Sequence, residues 1–274
     1  MKTVSRNPHR RPITNSPVRV VGATASGETT AEDNLPSAYT RLDGRDAVVA
    51  AAGGQPYARY SAVGEVTGYR SDAAVVWRLA RGSGVSVGGL GDGIAALDLI
   101  SATGLESGVE WLHLPRLAPE HTARLVPVIH DDWDYLVART VPPLDGAVRV
   151  APLDPVHEPA VDALLDVAFP QSMARPGDGK VRRWYGVQED GELIATAADR
   201  SRGGVGYIAG VAVHPAHRKR GLGSAVTAVL TGVLLDEFGA VGLGVMADAV
   251  ATRRIYERLG YGEHLLRTSL HLSR

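Results

Sequence analysis

The residues best suited to chemistry lie in one stretch, GVAVHPAHRKRGLGSAV (210–226). A β-branched run ends at Pro215. A basic turn follows, Arg218-Lys219-Arg220-Gly221-Leu222-Gly223, and then an apolar helix with Ser224 in its first turn. The order fits R-x-x-G-x-G. The first amides of a helix have no partner within it, and the helix dipole is positive at that end. Gly221 and Gly223 let the backbone approach a bulky anion and take left-handed angles. Arg218, Lys219 and Arg220 add formal positive charge. Together these features make a cradle for a pyrophosphate. The pattern is not a Walker loop, because GxxxxGK[ST] is missing, and arginine stands where a dinucleotide fingerprint needs its first glycine. The plainer alternative is a tight strand–helix turn whose charges face water.

A second segment, AVATRRIYERLGY (249–261), reads as a helix closed by Gly260 and carrying Tyr256. A phenol is a hydrogen-bond donor that stays protonated at neutral pH, so it can give a proton to a leaving group. The alternative is a core aromatic with its hydroxyl capped.

With these two segments in this order, residues 147–274 resemble the GNAT acetyltransferase superfamily. The resemblance implies that Arg218, Gly221 and Gly223 bind the pyrophosphate of acetyl-coenzyme A, with Lys219, Arg220, Leu222 and Ser224 offering backbone N–H groups. It implies that Val211-Ala212-Val213 hydrogen-bonds the pantetheine arm like an added strand. Gly210 within that strand suggests a bulge that splays two parallel strands. An amide near Val211 would then polarise the thioester oxygen, and Tyr256 would protonate the departing thiolate. Two departures stand out: Ala249 replaces the usual asparagine, beside Asp248, and Thr252 replaces a small residue. The implied activity is direct transfer of acetyl from acetyl-CoA to a primary amine of a small molecule. A non-catalytic CoA sensor or scaffold and a peptide or protein N-acetyltransferase are the alternatives. Between Gly203 and Leu235 there is no Asp or Glu. A water chain ending on Glu192, Asp199 or His214 is therefore expected to stand in for the glutamate that many relatives place near the thioester.

The elements that position these residues follow from periodicity. In the second half, strands are expected at 147–153, 204–215, 240–247 and 264–272, and helices at 154–169, 221–239 and 249–260. A hairpin at 182–200 turns at Asp190-Gly191. This pattern predicts an α/β (α+β) fold with a mixed, mainly antiparallel sheet flanked by helices. In the first half, runs at 46–53, 73–80, 85–91, 109–115 and 135–140 read as strands. Residues 92–104 read as a helix with Asp92 as N-cap and Gly104 as its stop. VSVGGLGDGIAAL (85–97) loosely echoes the second half without its arginine turn. This suggests a degenerate tandem partner of the same fold, with an unrelated α/β extension as the alternative. Asp131, Asp132 and Asp134 read as a solvated turn before a strand, and Trp77 and Trp111 as core anchors. The expected organisation is a flexible arm (1–37), an N-terminal α/β domain (38–145) and a catalytic domain (146–274).

Composition bounds the rest. The chain has 274 residues, 45% of them hydrophobic, with Lys+Arg 29 against Asp+Glu 30. It therefore supports a packed core and has no net charge suited to a polyanion, so no nucleic-acid partner is expected. The absence of cysteine excludes disulfides, thiolate metal sites and an acyl-cysteine intermediate. No metal, no membrane span and no secretory signal are expected, and a cytoplasmic protein, compatible with a homodimer, is the resulting reading.

Overall fold

The computed structural model describes residues 38–81, 84–143 and 148–272. The arm expected over residues 1–37 lies outside them. In chain order the first half contains β1 (Thr40–Asp43), α1 (Gly44–Ala51), α2 (Pro56–Ser61), β2 (Val66–Arg70), β3 (Ala74–Arg81), β4 (Gly84–Gly91), α3 (Gly93–Thr103), β5 (Trp111–Pro115), α4 (Pro119–Thr122) and β6 (Pro127–Ala138). The second half contains β7 (Ala151–Leu153), α5 (Glu158–Ala168), β8 (Arg183–Glu189), β9 (Glu192–Asp199), β10 (Gly206–Val213), α6 (Leu222–Phe238), β11 (Val241–Met246), α7 (Val250–Arg258) and β12 (Tyr261–Leu272).

Among the described residues these strands form one twelve-stranded sheet, ordered β1-β2-β3-β4-β5-β12-β6-β11-β10-β9-β8-β7. Only β4–β5 and β10–β11 are parallel. If each strand is replaced by its counterpart six places along, the order reads backwards onto itself, and each pairing keeps its sense. The sheet therefore has an approximate two-fold relation centred between β6 and β12. Those strands have crossed over: β6, from the first half, lies against β11, and β12, from the second, lies against β5. Strands from both halves thus share one sheet, and the described residues all belong to one compact unit.

Strand alternation sets two core layers. Leu136 and Ala138 of β6 point toward α6 and join Leu230, Leu234 and Tyr256. Leu270 of β12 pairs with His130, which has the same parity, and joins the cluster under α3. Helices α3 and α6 therefore cover the same face. Trp133, Tyr135 and Val137 point to the other face, where Tyr57 of α2 packs among them.

Local readings fared unevenly. Asp92 caps α3 through the amide of Ala95 at 2.8 Å, and Gly104 closes it at φ 66. Asp190 and Gly191 take φ 51 and 83, as a tight primed turn requires. Residues 46–53, expected as a strand, lie mostly in α1, because the alanines and valines bury one helical stripe centred on Val48 rather than alternate faces. Residues 131–134, expected as a turn, lie inside β6. Its alternation puts Asp132 and Asp134 on one face and Trp133 on the other. Asp134 is buried and paired with Arg116 at 2.9 Å and Arg253 at 2.5 Å, so its charge is compensated rather than solvated.

Candidate active site

The turn after β10 is built as an open cradle. Lys219 and Gly221 take φ 64 and 75, and Gly221 precedes α6 with no side-chain cap. Ala225 is the first residue bonded into the helix, to Gly221 O at 3.0 Å, which leaves the amides of Leu222, Gly223 and Ser224 without an intrahelical acceptor. A Cβ added at Gly221 would meet nothing within 4 Å, and one at Gly223 would touch only Val213 Cγ2 at 3.5 Å. Free amides, positive dipole and empty space coincide here.

The three basic side chains of the turn do different things. Arg218 borders the adjoining cavity and makes long hydrogen bonds to Val213 O (3.4 Å) and Ala168 O (3.3 Å), which joins the end of β10 to the end of α5. Lys219 is exposed. Arg220 is engaged bidentately by Glu189 at 2.8 and 2.7 Å, and its nearest contribution to the cradle is its backbone. The same guanidinium holds the Glu189 carboxyl below the usual carboxylate range.

Upstream of the cradle the sheet opens. Strands β10 and β11 pair only from Gly206–Val241 to Ile208–Leu243. Beyond that, the β9–β10 register shifts between Ala209 and Ala212, and Gly210 takes φ 58. The bulge expected at Gly210 is therefore present. Gly210 is needed there for space as well as for its angle, since a Cβ would press on Ala174 at 3.2 Å and the Trp184 ring at 3.3 Å. The opening leads into a cavity of about 640 Å³ lined by Val211, Ala212 and Val213, by β11 from Leu243 to Met246, and by Ala249, Thr252 and Tyr256.

Tyr256 lies on the α6 side of the sheet, with its ring 5.9 Å from that of Tyr261. Burial pushes its phenol up to about 12. It therefore stays protonated across the neutral range, and its hydroxyl has no protein hydrogen-bond partner among the described residues.

None of the expected relay residues lines this cavity. Asp199 is buried under Arg182, Arg183 and Ser201. Glu192 is exposed at the hairpin end, and His214 Nδ1 accepts from the amide of Ala216 at 3.3 Å. Among the described residues no Asp or Glu lines the cavity. The expected acceptor cleft is one formed by the 170–182 loop, the 183–199 hairpin and the first half. The loop contributes Met173, the hairpin contributes nothing, and Trp133, Phe169 and Tyr207 complete the wall. Trp133 fell within the segment read as a turn, and Phe169 and Tyr207 carried no local signal. Among the described residues no group of three or more His, Asp or Glu could hold a metal ion, and no helix is long and apolar enough to cross a membrane.

The profile of the acetyltransferase (GNAT) family matches residues 154–261, which hold both the cradle and Tyr256. This segment is a GNAT acetyltransferase domain. No curated protein matches the chain. Among solved structures, a GNAT-family acetyltransferase from Novosphingobium aromaticivorans is 22% identical, with TM-score 0.50, over 73% of this chain and 89% of that one. A GCN5-related N-acetyltransferase from Sphaerobacter thermophilus is 17% identical, TM-score 0.50, over 88% and 96%. A GNAT-family acetyltransferase from Colwellia psychrerythraea is 9% identical, TM-score 0.50, over 86% and 99%. At these identities the likeness concerns the fold: a mixed, mostly antiparallel GNAT-like sheet flanked by helices, with an additional N-terminal α/β region.

Proposed function

We propose that this protein transfers the acetyl group of acetyl-CoA directly to a primary amine of a small molecule. The observation that carries the reading is the continuity of the uncapped α6 N-terminus with the opening between β10 and β11. A pyrophosphate at the amides of Leu222, Gly223 and Ser224 is one extended arm away from the bulge at Gly210. The free edge of Val211-Ala212-Val213 can pair that arm, and an amide near Val211 can stabilise negative charge developing on the thioester oxygen. The amine attacks the carbonyl carbon, the C–S bond breaks, and Tyr256 protonates the sulfur. On this reading the first half is a degenerate copy of the same fold, which the reversed strand order supports.

Two observations favour a second reading, a CoA-binding sensor without turnover. Among the described residues no carboxylate lines the cavity, and Ala249 stands where the family resemblance implies an asparagine. Thiol release by the purified chain with acetyl-CoA and an amine panel separates the two. Turnover with any amine supports transfer. Tight CoA binding with no release across the panel would leave the sensor.

A further inference from the structure

The cavity is lined from both faces of the sheet, and its two sides differ in chemistry. Tyr256 and Leu243 belong to the layer under α6, where the cradle lies. Trp133 and Tyr207 belong to the opposite layer. On that far side the wall is Trp133, Phe169, Met173, Met246 and Tyr207. Phe169, Met173 and Met246 are exposed by 40%, 85% and 45%, which makes an apolar rim around an open mouth. Gly244 keeps the passage wide. A Cβ there would stand 3.1 Å from Tyr207 Oη and 3.4 Å from the Trp133 ring. Among the described residues the titratable or charged groups lining the cavity are Arg218 from the turn, Tyr207 from β10 and Tyr256 from α7. Asp134 points to the Tyr256 side of β6, outside the lining, and is held by Arg116 and Arg253, and Asp248 is exposed outside the lining.

Resting on the acetyltransferase reading, we propose that the far side of this cavity selects an apolar, aromatic-bearing monoamine and takes it as the uncharged free base. A second ammonium would enter an apolar space whose one formal charge is the positive Arg218, with no carboxylate to repay its desolvation. An aryl group instead has Trp133 and Phe169 to pack against. Desolvation also favours the neutral form of the reacting amine, so no protein base is needed before attack. The balance is complete without one. The neutral amine forms the C–N bond, the C–S bond breaks, Tyr256 gives its proton to sulfur, and the excess proton on nitrogen returns to the phenolate directly or through water. The products are an amide and the free thiol.

The test compares 2-phenylethylamine with 1,5-diaminopentane and spermidine under saturating acetyl-CoA, with CoA affinity measured separately by calorimetry. The arylalkylamine should exceed both polyamines in kcat/KM by about fiftyfold or more. Across ring-substituted benzylamines, kcat/KM should rise about tenfold per pH unit up to each amine's own pKa, so that the inflection moves with the substrate. Met173→Asp places a carboxylate at an exposed position of the rim, where folding is not at stake. It should raise kcat/KM for 1,5-diaminopentane by about fivefold while CoA affinity holds. Equal or better turnover of the polyamines, a pH inflection fixed across the amines, or selection by acyl-chain length with indifference to the amine would each overturn the proposal. Binding of CoA with polyamine preference sinks this inference alone, whereas absence of CoA binding sinks the acetyltransferase reading with it.

Discussion

The two halves of the sheet reach the same point, a strand running into a helix beside a parallel partner, and finish it differently. At β10 the parallel pairing stops at Ile208–Leu243 and a cavity opens; at β4 it stops at Gly88–His113 and the gap is filled. The filler is Arg267 of β12, whose guanidinium donates to Gly89 O at 2.8 Å and His113 O at 2.6 Å and lies 4.0 Å from the Tyr57 ring centroid. Desolvation holds the pKa of this buried arginine below its ordinary value. The helix ends differ in the same sense. The α3 N-terminus is satisfied by the carboxylate of Asp92, and Gly93 is packed so closely that a Cβ would come within 2.8 Å of Leu117. Among the described residues the α6 N-terminus has no side-chain cap, and nothing lies within 4 Å of a Cβ added at Gly221. One fold thus supports a closed corner and an open one, and a few side chains decide which.

The largest expected effect bears on this contrast. Gly221→Glu places bulk and negative charge against the cradle and should weaken CoA binding by about a hundredfold or more. Calorimetry should show one CoA per chain in the parent and none in the variant. A second, surviving site would mean that the first half is not closed. Next, Tyr256→Phe should lower kcat by about a hundredfold and leave CoA affinity within about twofold. Because burial pushes the Tyr256 phenol up to about 12, parent kcat should show no falling limb below about pH 10, where an ordinary tyrosine would ionise. Equal rates in the phenylalanine variant would remove the acid role.

Asp92→Ala uncaps the closed corner. It should cost about 1 kcal/mol of stability in denaturant titration and leave CoA affinity unchanged. The smallest effect belongs to Glu189→Gln, which frees Arg220 at the open corner. CoA affinity should change by less than about threefold, and by less still at high salt, since the pair is exposed. The sign with pH follows from the lowered carboxyl of Glu189. The contribution of the pair is present above the ordinary carboxylate range and disappears as the pH falls below it.

Both corners were partly legible from residue order. Asp92 before an apolar run and Gly104 after it are local signals, and the structure honours them. So is the bulge at Gly210, because a glycine inside a β-branched strand has few other reasons to be there. The aspartates at 131, 132 and 134 misled, because polar residues on both faces of a strand look like a turn until Arg116 and Arg253 are seen to meet Asp134. Residues 46–53 misled for the opposite reason. A short apolar run fits a buried strand or a helix equally well, and only packing around Val48 decides.

The sequence alone determined whatever depends on neighbours along the chain: the cradle at 218–224, the helix caps, the hairpin turn, and the absence of any cysteine chemistry. The tertiary structure decided whatever depends on residues far apart. It exchanged β6 and β12 between the halves, carried Trp133 to the cavity formed by β10 and β11, and set Arg267 into the gap between β4 and β5. The physical reason is that strand pairing and side-chain burial are long-range. The residue that fills or lines a gap is chosen by the sheet's order, and that order is not written at any single position.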